Sequence, residues 1–281
     1  HGDPGRMLRH HIFHILLGVA AFAMCLSFPP KKLYSYAVPL LFCSLLLLLV
    51  TLIPGIGHVA GGARRWLVLG PIRIQPGEIA KLCTVIYFAS YIDRHQDKMR
   101  TFVGGVLVPL LVLGLFAALL LLEPDFGSTV VILSVVFCQL FLVCRLRHMA
   151  GVGLALISVL SLLVFFSPYR MKRFISFLDP FNNAASSGYQ LIQSLIAVGS
   201  GGVSGSGLGA GKQKLYYLPA AHTDFIFAVI AEELGIIGAL FVLFLFLVIL
   251  VRGLGIAKRL QDKPYLASLA LGCTLLMVVG Q

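Results

Sequence analysis

The chain has 281 residues, of which 59% are hydrophobic and only 12% are charged, whereas about 25% of the residues in a soluble domain are charged. This composition excludes an ordinary soluble domain and a disordered chain. The 22 Lys and Arg residues outnumber the 11 Asp and Glu residues, so the net charge is +11. On a membrane protein, such an excess favours anionic head groups or a phosphorylated lipid as partners, and no nucleic acid.

The apolar residues are gathered in long segments that match the ~30 Å hydrocarbon core of a bilayer. We predict an all-α, polytopic membrane protein whose residues 1–281 form a single membrane domain. Eight transmembrane helices are expected, at residues 10–28, 34–53, 77–92, 102–122, 127–144, 149–166, 225–251 and 265–281.

The connections between these segments differ in length and charge. One set is short and carries eleven Lys and Arg residues; the other carries five once the long loop 167–224 is left out. Long translocated loops contribute little to orientation. We therefore place the short basic loops in the cytoplasm and loops 54–76 and 167–224 outside. The chain ends inside an apolar segment, so we expect flanking spans to be missing.

A glycine-rich stretch, residues 199–212, lies within the large external loop. Its spacing fails as a nucleotide-binding loop, because Ser206 and Gln213 stand where Gly and Ser or Thr are needed. A mobile linker and a backbone that approaches a ligand closely are both compatible with so many glycines. Lys212 and Lys214 favour an anion site.

Asp224 is the last polar residue before the apolar segment 225–251 and follows His222 and Thr223. One interpretation is a helix N-cap, for which Asp is well suited. The other is a carboxylate at the membrane surface that acts as general base on a hydroxyl.

Two adjacent acids, Glu232 and Glu233, lie inside the same predicted span, where charges are expensive and are commonly functional. At ~100° per residue, Glu232 lies about 80° around the helix from Asp224, and Glu233 about 180°. We expect Glu232 to line the same cavity as Asp224 and Glu233 to face a partner helix. Structural anchoring is the alternative for both.

Glu78 and Lys81 are three residues apart and therefore share one face of the third predicted helix. They form either an intrahelical ion pair that eases burial of Lys81 or a site in which Lys81 meets a phosphate and Glu78 positions it. Upstream, Arg64 and Arg65 stand beside Trp66, and this trio suits either phosphate binding or simple interfacial anchoring.

Two further features have plain interpretations. Residues 123–127 form a tight external turn, in which Pro and Gly explain the break and the two acids are solvated. The six cysteines lie in or beside apolar segments and form no C-x-x-C motif, so they are small hydrophobic residues rather than disulfides or zinc ligands.

Several of these segments together resemble the SEDS family (shape, elongation, division, sporulation), and its division branch more than its elongation branch. The resemblance is collinear over about residues 54–251 and rests on Gly62–Trp66, Gln75–Lys81, Glu123–Gly127, Phe177–Phe181, Gly188–Gln190 with Gln193 and Ser194, Gly199–Gly202, Lys214–Pro219 continuing into His222–Ala228, and Glu232–Gly235.

The resemblance implies ten spans in the complete protein and a peptidoglycan glycosyltransferase at the bacterial cytoplasmic membrane, acting at the division site. Such an enzyme polymerises lipid II outside the membrane and releases undecaprenyl pyrophosphate. Asp224 matches the essential acid of the family. Substrate binding is then expected from Lys81, Glu78, Arg64, Arg65, Trp66, Lys212, Lys214, His222, Thr223 and Glu232.

The same resemblance implies a class B penicillin-binding protein, a transpeptidase, as partner, together with other division proteins and membrane lipids. The sequence does not decide whether a divalent cation, Mg²⁺ or Mn²⁺, is a cofactor. Two other functions compete with the enzyme: a flippase for the lipid-linked precursor, which would use the charged residues inside spans, and a non-enzymatic division scaffold.

Overall fold

A computed structural model describes residues 4–60, 63–70, 72–183, 188–211 and 225–280. These residues are almost entirely helical, as expected for the all-α class. The chain divides into two compact units, residues 1–144 with 256–281 and residues 145–255. The prediction of a single domain over residues 1–281 stays a prediction.

The first unit contains six complete helices, five in residues 1–144 and one in residues 256–281. Their bounds are α1 Pro4–Ser27, α2 Pro30–Leu52, α3 Pro76–Arg94, α4 Val108–Leu122, α5 Phe126–Phe141 and α10 Pro264–Val279. A short 3-10 helix, Gln96–Lys98, and a π-helical turn, Val103–Leu107, connect α3 to α4. Each helix in this unit therefore coincides with one of the predicted apolar segments.

The core of the first unit surrounds α3, which packs against α2, α5 and α10. Phe88 and Ile92 of α3 are fully buried. Gln139 of α5 is also fully buried, and its Nε2 donates to the carbonyl oxygens of Val85 (3.2 Å) and Ser268 (3.0 Å). One amide therefore joins α3, α5 and α10, which fixes the helix that carries Glu78 and Lys81.

Loop 54–76 holds a small antiparallel sheet that the sequence analysis did not predict. Its strands are β1 Gly57–Ala60, β2 Ala63–Leu69 and β3 Ile72–Ile74, in the order β1-β2-β3. Gly70, in the β2–β3 turn, has φ +62°, a conformation that favours glycine. Such short strands give a weak pattern in sequence because each has few alternating positions.

The second unit contains α6 Leu146–Phe165, α7 Pro168–Leu178, a 3-10 turn Phe181–Asn183, α8 Tyr189–Gly201 and most of α9 Ile226–Arg259. Helix α8 lies within the segment 167–224 that the sequence analysis treated as a loop. The expectation of one continuous helix over 225–251 is wrong in one respect, since α9 is broken at Gly235, where φ is 70° and ψ −167°.

Among the described residues, four helices are long and apolar enough to cross a membrane: 30–52, 103–122, 146–165 and 226–259. Three apolar helices are shorter, at 11–27, 126–141 and 264–279. The chain is a multi-pass membrane protein. The count of eight spans and the external position of loop 167–224 stay predictions.

Candidate functional site

Polar side chains from three parts of the first unit lie around the start of α3, and we call them the polar cluster: Arg65, Gln75, Glu78, Lys81, Glu123, Asp125 and Ser128. They come from strand β2, from the start of α3 and from the turn between α4 and α5. The backbone approaches closely here, because a Cβ at Gly77 would lie 3.5 Å from Asp125 Oδ2 and 3.7 Å from Ser128 Oγ. The sequence-predicted motifs around residues 65, 78 and 125 are thus brought together in one unit.

Asp125 organises the turn between α4 and α5. As N-cap of α5 it accepts hydrogen bonds from the Ser128 amide (3.1 Å) and the Ser128 hydroxyl (2.9 Å), which satisfies a backbone donor that the helix leaves open. Gln75 Nε2 donates at 3.2 Å to Asp125 Oδ2, the oxygen that also accepts from the Ser128 hydroxyl. Asp125 is buried, so the expectation that this acid is merely solvated is wrong. An Asp three residues before a Ser was the sequence signal for this cap.

Arg65 holds the same turn from the sheet. Its Nε donates to the Glu123 carbonyl oxygen at 3.2 Å, and its Nη2 donates to the Pro124 carbonyl oxygen. The Glu123 carbonyl lies at the end of α4, where helix carbonyls lack intrahelical donors. A guanidinium with several fixed donors suits two neighbouring carbonyls.

Arg64 and Trp66 flank Arg65 on strand β2. The pairing of β1 with β2 shifts between His58 and Val59, so Arg65 has no partner on β1 and forms a β-bulge, where the alternation of side chains is interrupted. Arg64 is exposed and Trp66 is half-buried. Arg65 belongs to the polar cluster, whereas the roles predicted for Arg64 and Trp66 stay predictions.

Lys81 and Glu78 form the ion pair that one interpretation predicted, with Nζ 2.7 Å from Oε1. The Lys81 side chain is 6% exposed and that of Glu78 is 58% exposed. The ammonium is thus buried in the first unit while its carboxylate partner reaches solvent. An anionic ligand that displaces Glu78 would find a cation already desolvated and fixed in position.

Glu123 is the most unusual acid of the polar cluster. It is 1% exposed, and neither of its carboxylate oxygens has a hydrogen-bond partner among the described residues. Burial, reinforced by the negative charge of Asp125, raises the pKa of Glu123 to about 7, although Arg65 opposes the shift. Its protonation state consequently changes near neutral pH. The expectation that this acid is solvated is also wrong.

The second unit contains a backbone arrangement that we call the glycine clamp, formed by residues 201–211 and 232–235. At the Gly235 break, Ile236 donates to the Gly202 carbonyl (3.0 Å) and Ile237 to the Val203 carbonyl (3.4 Å). The Ser206 amide donates to the Glu232 carbonyl (3.0 Å), and the Gly207 amide to the Glu233 carbonyl (3.1 Å). The glycine-rich stretch therefore supplies donors and acceptors that the broken helix turn has lost.

Close packing explains the glycines of this stretch. A Cβ at Gly205 would collide with the Glu233 carbonyl oxygen, and a Cβ at Gly201 with the Ala231 carbonyl oxygen. The backbone does approach another group closely, as one interpretation of the sequence proposed, but that group is α9 of the same chain. The alternative of a mobile linker is not what residues 201–211 form.

The carboxylates of Glu232 and Glu233 both point towards the end of the glycine-rich stretch. A Cβ at Gly211 would lie 2.9 Å from Glu232 Oε2 and 3.0 Å from Glu233 Oε1, and the Gly209 amide donates to Glu233 Oε2 at 3.0 Å. Glu232 is buried. The expectation that Glu233 faces a partner helix is wrong, because its carboxylate meets the glycine clamp instead.

Five predicted site residues lie outside the described part of the chain: Lys212, Lys214, His222, Thr223 and Asp224. Gly211 and Phe225 bound this segment. Phe225 packs against buried Ala197, Ala228 and Val229, so the start of α9 is fixed in the second unit. The roles of the five residues stay predictions.

Among the described residues, no group of three or more His, Cys, Asp or Glu side chains is arranged to hold a metal ion. Both Asp125 oxygens already accept hydrogen bonds from Ser128 or Gln75. The described acids therefore do not form a divalent cation site by themselves. A requirement for Mg²⁺ or Mn²⁺ stays a prediction, and no step below depends on such an ion.

Comparison with known proteins gives close relatives. The chain is 46% identical over 242 residues to the probable peptidoglycan glycosyltransferase FtsW of Legionella pneumophila, covering 85% of this chain and 61% of that protein. It is 42% identical over 277 residues to the corresponding protein of Coxiella burnetii, covering 98% and 74%. The chain thus spans less than two thirds of the first of these relatives, and the resemblance to the division branch is confirmed.

Solved structures share the fold. A component of a peptidoglycan synthase complex that coordinates polymerization and crosslinking superposes with a TM-score of 0.72 at 29% identity, covering 99% of this chain and 80% of that one. The rod shape determining protein RodA of Thermus thermophilus gives 0.66 at 29% identity, covering 99% and 75%. The model of the cell cycle protein family FtsW/RodA/SpoVE matches residues 2–281, and the chain belongs to that family.

Proposed function

We propose that this chain is the membrane part of a peptidoglycan glycosyltransferase that polymerises lipid II on the outer face of the bacterial cytoplasmic membrane during division. The observation that carries the proposal is the polar cluster, in which buried Lys81 is paired with exposed Glu78. A desolvated cation at the end of an apolar helix suits a lipid-linked pyrophosphate, since the phosphates need a charge and the tail needs a membrane. Relatives named as glycosyltransferases support this assignment.

The reaction joins an acceptor sugar hydroxyl to the anomeric carbon of the donor sugar. As the new C–O bond forms, the bond from that carbon to the pyrophosphate breaks, and the electron pair leaves with undecaprenyl pyrophosphate. The acceptor proton goes to Asp224, which we assign as general base. Lys81 would neutralise the charge that develops on the leaving group, while Glu78 holds its ammonium in place beforehand.

Other predicted substrate contacts divide into two groups. Arg65 acts indirectly, because its guanidinium holds the Glu123–Pro124 backbone. Arg64 is exposed and Trp66 is half-buried, and we propose that both contact head groups or sugars. Glu232 lies close to Gly211. Lys212, Lys214, His222 and Thr223 follow in the sequence, and we propose that they contact the donor pyrophosphate and sugars.

A class B penicillin-binding protein is the proposed partner, together with other division proteins at the division site. The structural match to a synthase complex that coordinates polymerization with crosslinking supports such a pairing. The competing flippase has one feature in its favour, since discontinuous helices with nearby charges occur at transporter sites. In α9, however, the backbone groups at the Gly235 break already form hydrogen bonds with the glycine clamp.

The test uses purified full-length protein, labelled lipid II and the variant Asp224→Asn. Asn keeps the size and the capping ability of Asp, so the variant should melt like the parent. Because Asn cannot act as a general base, the variant should polymerise lipid II roughly 10²–10⁴-fold more slowly. Polymer from well-folded Asp224→Asn at the parent rate contradicts the catalytic role. Transfer of lipid II across a bilayer without polymer supports the flippase, and neither activity supports the scaffold.

A further inference from the structure

An apolar groove of about 330 Å³ lies between α6 and α7 in the second unit. Its lining is aliphatic and aromatic except at one end, and consists of Val159, Leu162, Leu163, Phe166, Ser167 and Arg170. Arg170 is half-buried there and donates from Nη1 to the Leu163 carbonyl oxygen at 3.1 Å. The groove thus combines walls for a hydrocarbon chain with a fixed guanidinium at its end.

The surroundings of the groove are strongly basic. No acidic residue occurs between Asp125 and Asp179, whereas five Lys and Arg residues do. Two of them, Lys172 and Arg173, are exposed on α7 within three residues of Arg170, and the Arg173 guanidinium lies 5.1 Å from the centre of the Tyr169 ring. Arg145 and Arg147 lie at the other end of α6, so the charges near the groove are those of Arg170, Lys172 and Arg173.

Helix α7 is built to lie along a membrane surface. Met171, Phe174, Ile175 and Leu178 follow one another at helical spacing, and the last three are exposed although apolar. Lys172 and Arg173 occupy the other side. A short helix with a basic side and an exposed apolar side lies in the interface between head groups and acyl chains. It directly follows α6, one of the helices long enough to span the bilayer.

We propose that the α6–α7 groove binds an anionic phospholipid of the surrounding membrane, with one acyl chain along Val159, Leu162 and Phe166 and the phosphate beside Arg170, while the exposed charges of Lys172 and Arg173 attract the anionic head group to this end of α7. The charge selects an anionic head group over a zwitterionic one. This site consists of residues that the polymerisation proposal does not use. It gives the second unit a lipid anchor where its external loop begins.

The experiment compares lipid retention by native mass spectrometry after reconstitution of the chain in nanodiscs of phosphatidylcholine with a minority of phosphatidylglycerol. The test variant is Lys172→Gln/Arg173→Gln, and the matched control is Arg145→Gln/Arg147→Gln, which removes two exposed charges at the opposite end of α6. Each basic residue near an anionic surface is worth about a factor of five, so the test variant should retain phosphatidylglycerol roughly 30-fold less well.

A second variant, Val159→Trp, keeps every charge but fills the groove with a larger side chain. This variant should also retain less phosphatidylglycerol than the parent. Equal losses in the test variant and in the control would show nonspecific attraction and overturn the proposal. Unchanged retention in Val159→Trp would do the same. Displacement of phosphatidylglycerol by a smaller amount of undecaprenyl pyrophosphate in the parent would assign the groove to the substrate instead and also overturn it.

Discussion

In the polar cluster, side chains bind one another around the start of α3, whereas in the glycine clamp the contacts are made mainly by backbone groups. Asp125 uses its carboxylate to bind Ser128 and Gln75; at Gly235 the chain exchanges helix hydrogen bonds for bonds to residues 202–207. The first arrangement needs particular functional groups, and the second needs the absence of side chains. Substitutions should therefore change chemistry in the first region and folding in the second.

The largest effect is expected from Gly235→Ala. An alanine there would adopt a positive φ, and its Cβ would collide with the Val203 carbonyl and the Gly205 amide. We expect a loss of about 3 kcal/mol or more in the free energy of unfolding, measured by denaturant unfolding in detergent. Gly255→Ala, in the same helix and with open space around it, is the control and should gain up to about 1 kcal/mol. Equal stabilities of the two variants would contradict the clamp.

Glu123→Gln tests whether a buried acid of the polar cluster titrates near neutral pH. A raised pKa means that the folded protein binds the proton more tightly than the unfolded chain does. The resulting stabilisation is complete below pH 4.5 and is lost as pH rises through about 7. The variant removes this pH dependence. Its free energy of unfolding, relative to that of the parent, should therefore increase by about 2–3 kcal/mol between the ordinary pKa and the raised one.

The measurement for Glu123 is unfolding free energy at several pH values on both sides of 7. Glu123→Asp keeps a titrating carboxyl at the same position and serves as the comparison. Parallel pH profiles for the parent and Glu123→Gln would show that the carboxyl is not protonated in the folded protein. The idea that this turn responds to pH would then be wrong.

Variants of Lys81 and Glu78 distinguish a structural ion pair from a substrate-binding site. Glu78→Gln leaves a buried ammonium without its carboxylate and should cost about 1–2 kcal/mol of stability, whereas Lys81→Met removes the buried charge and should change stability by less than about 1 kcal/mol. If Lys81 binds the pyrophosphate, Lys81→Met should nevertheless polymerise lipid II poorly. A stable, fully active Lys81→Met protein would leave the ion pair with a structural role only.

Local pattern was enough to predict the helices and the Glu78–Lys81 pair, because those contacts lie within one helical turn. It failed where contacts join distant segments. Gln75 and Asp125 are 50 residues apart, and Arg65 and Glu123 are 58 apart, so nothing near residue 123 indicates that its acids are buried. The break at Gly235 depends likewise on contacts with residues 202–207. The apolar sequence around Gly235, taken by itself, predicts a continuous helix.

The smallest expected effect compares the two neighbouring arginines of β2. Arg65→Gln loses the donors to the Glu123 and Pro124 carbonyl oxygens and should lower stability by about 1 kcal/mol, because those hydrogen bonds are partly exposed. Arg64→Gln removes the same charge from the exposed face and should leave stability unchanged within about 0.5 kcal/mol. Thermal melting of both variants in detergent measures the difference.

Since Arg64 is the one available to a ligand, we expect the opposite order in lipid II binding: Arg64→Gln should weaken binding directly, and Arg65→Gln should weaken it only as far as the turn moves. An equal stability loss in both variants would contradict the separate roles of Arg65, which holds the turn, and Arg64, which is exposed to a ligand.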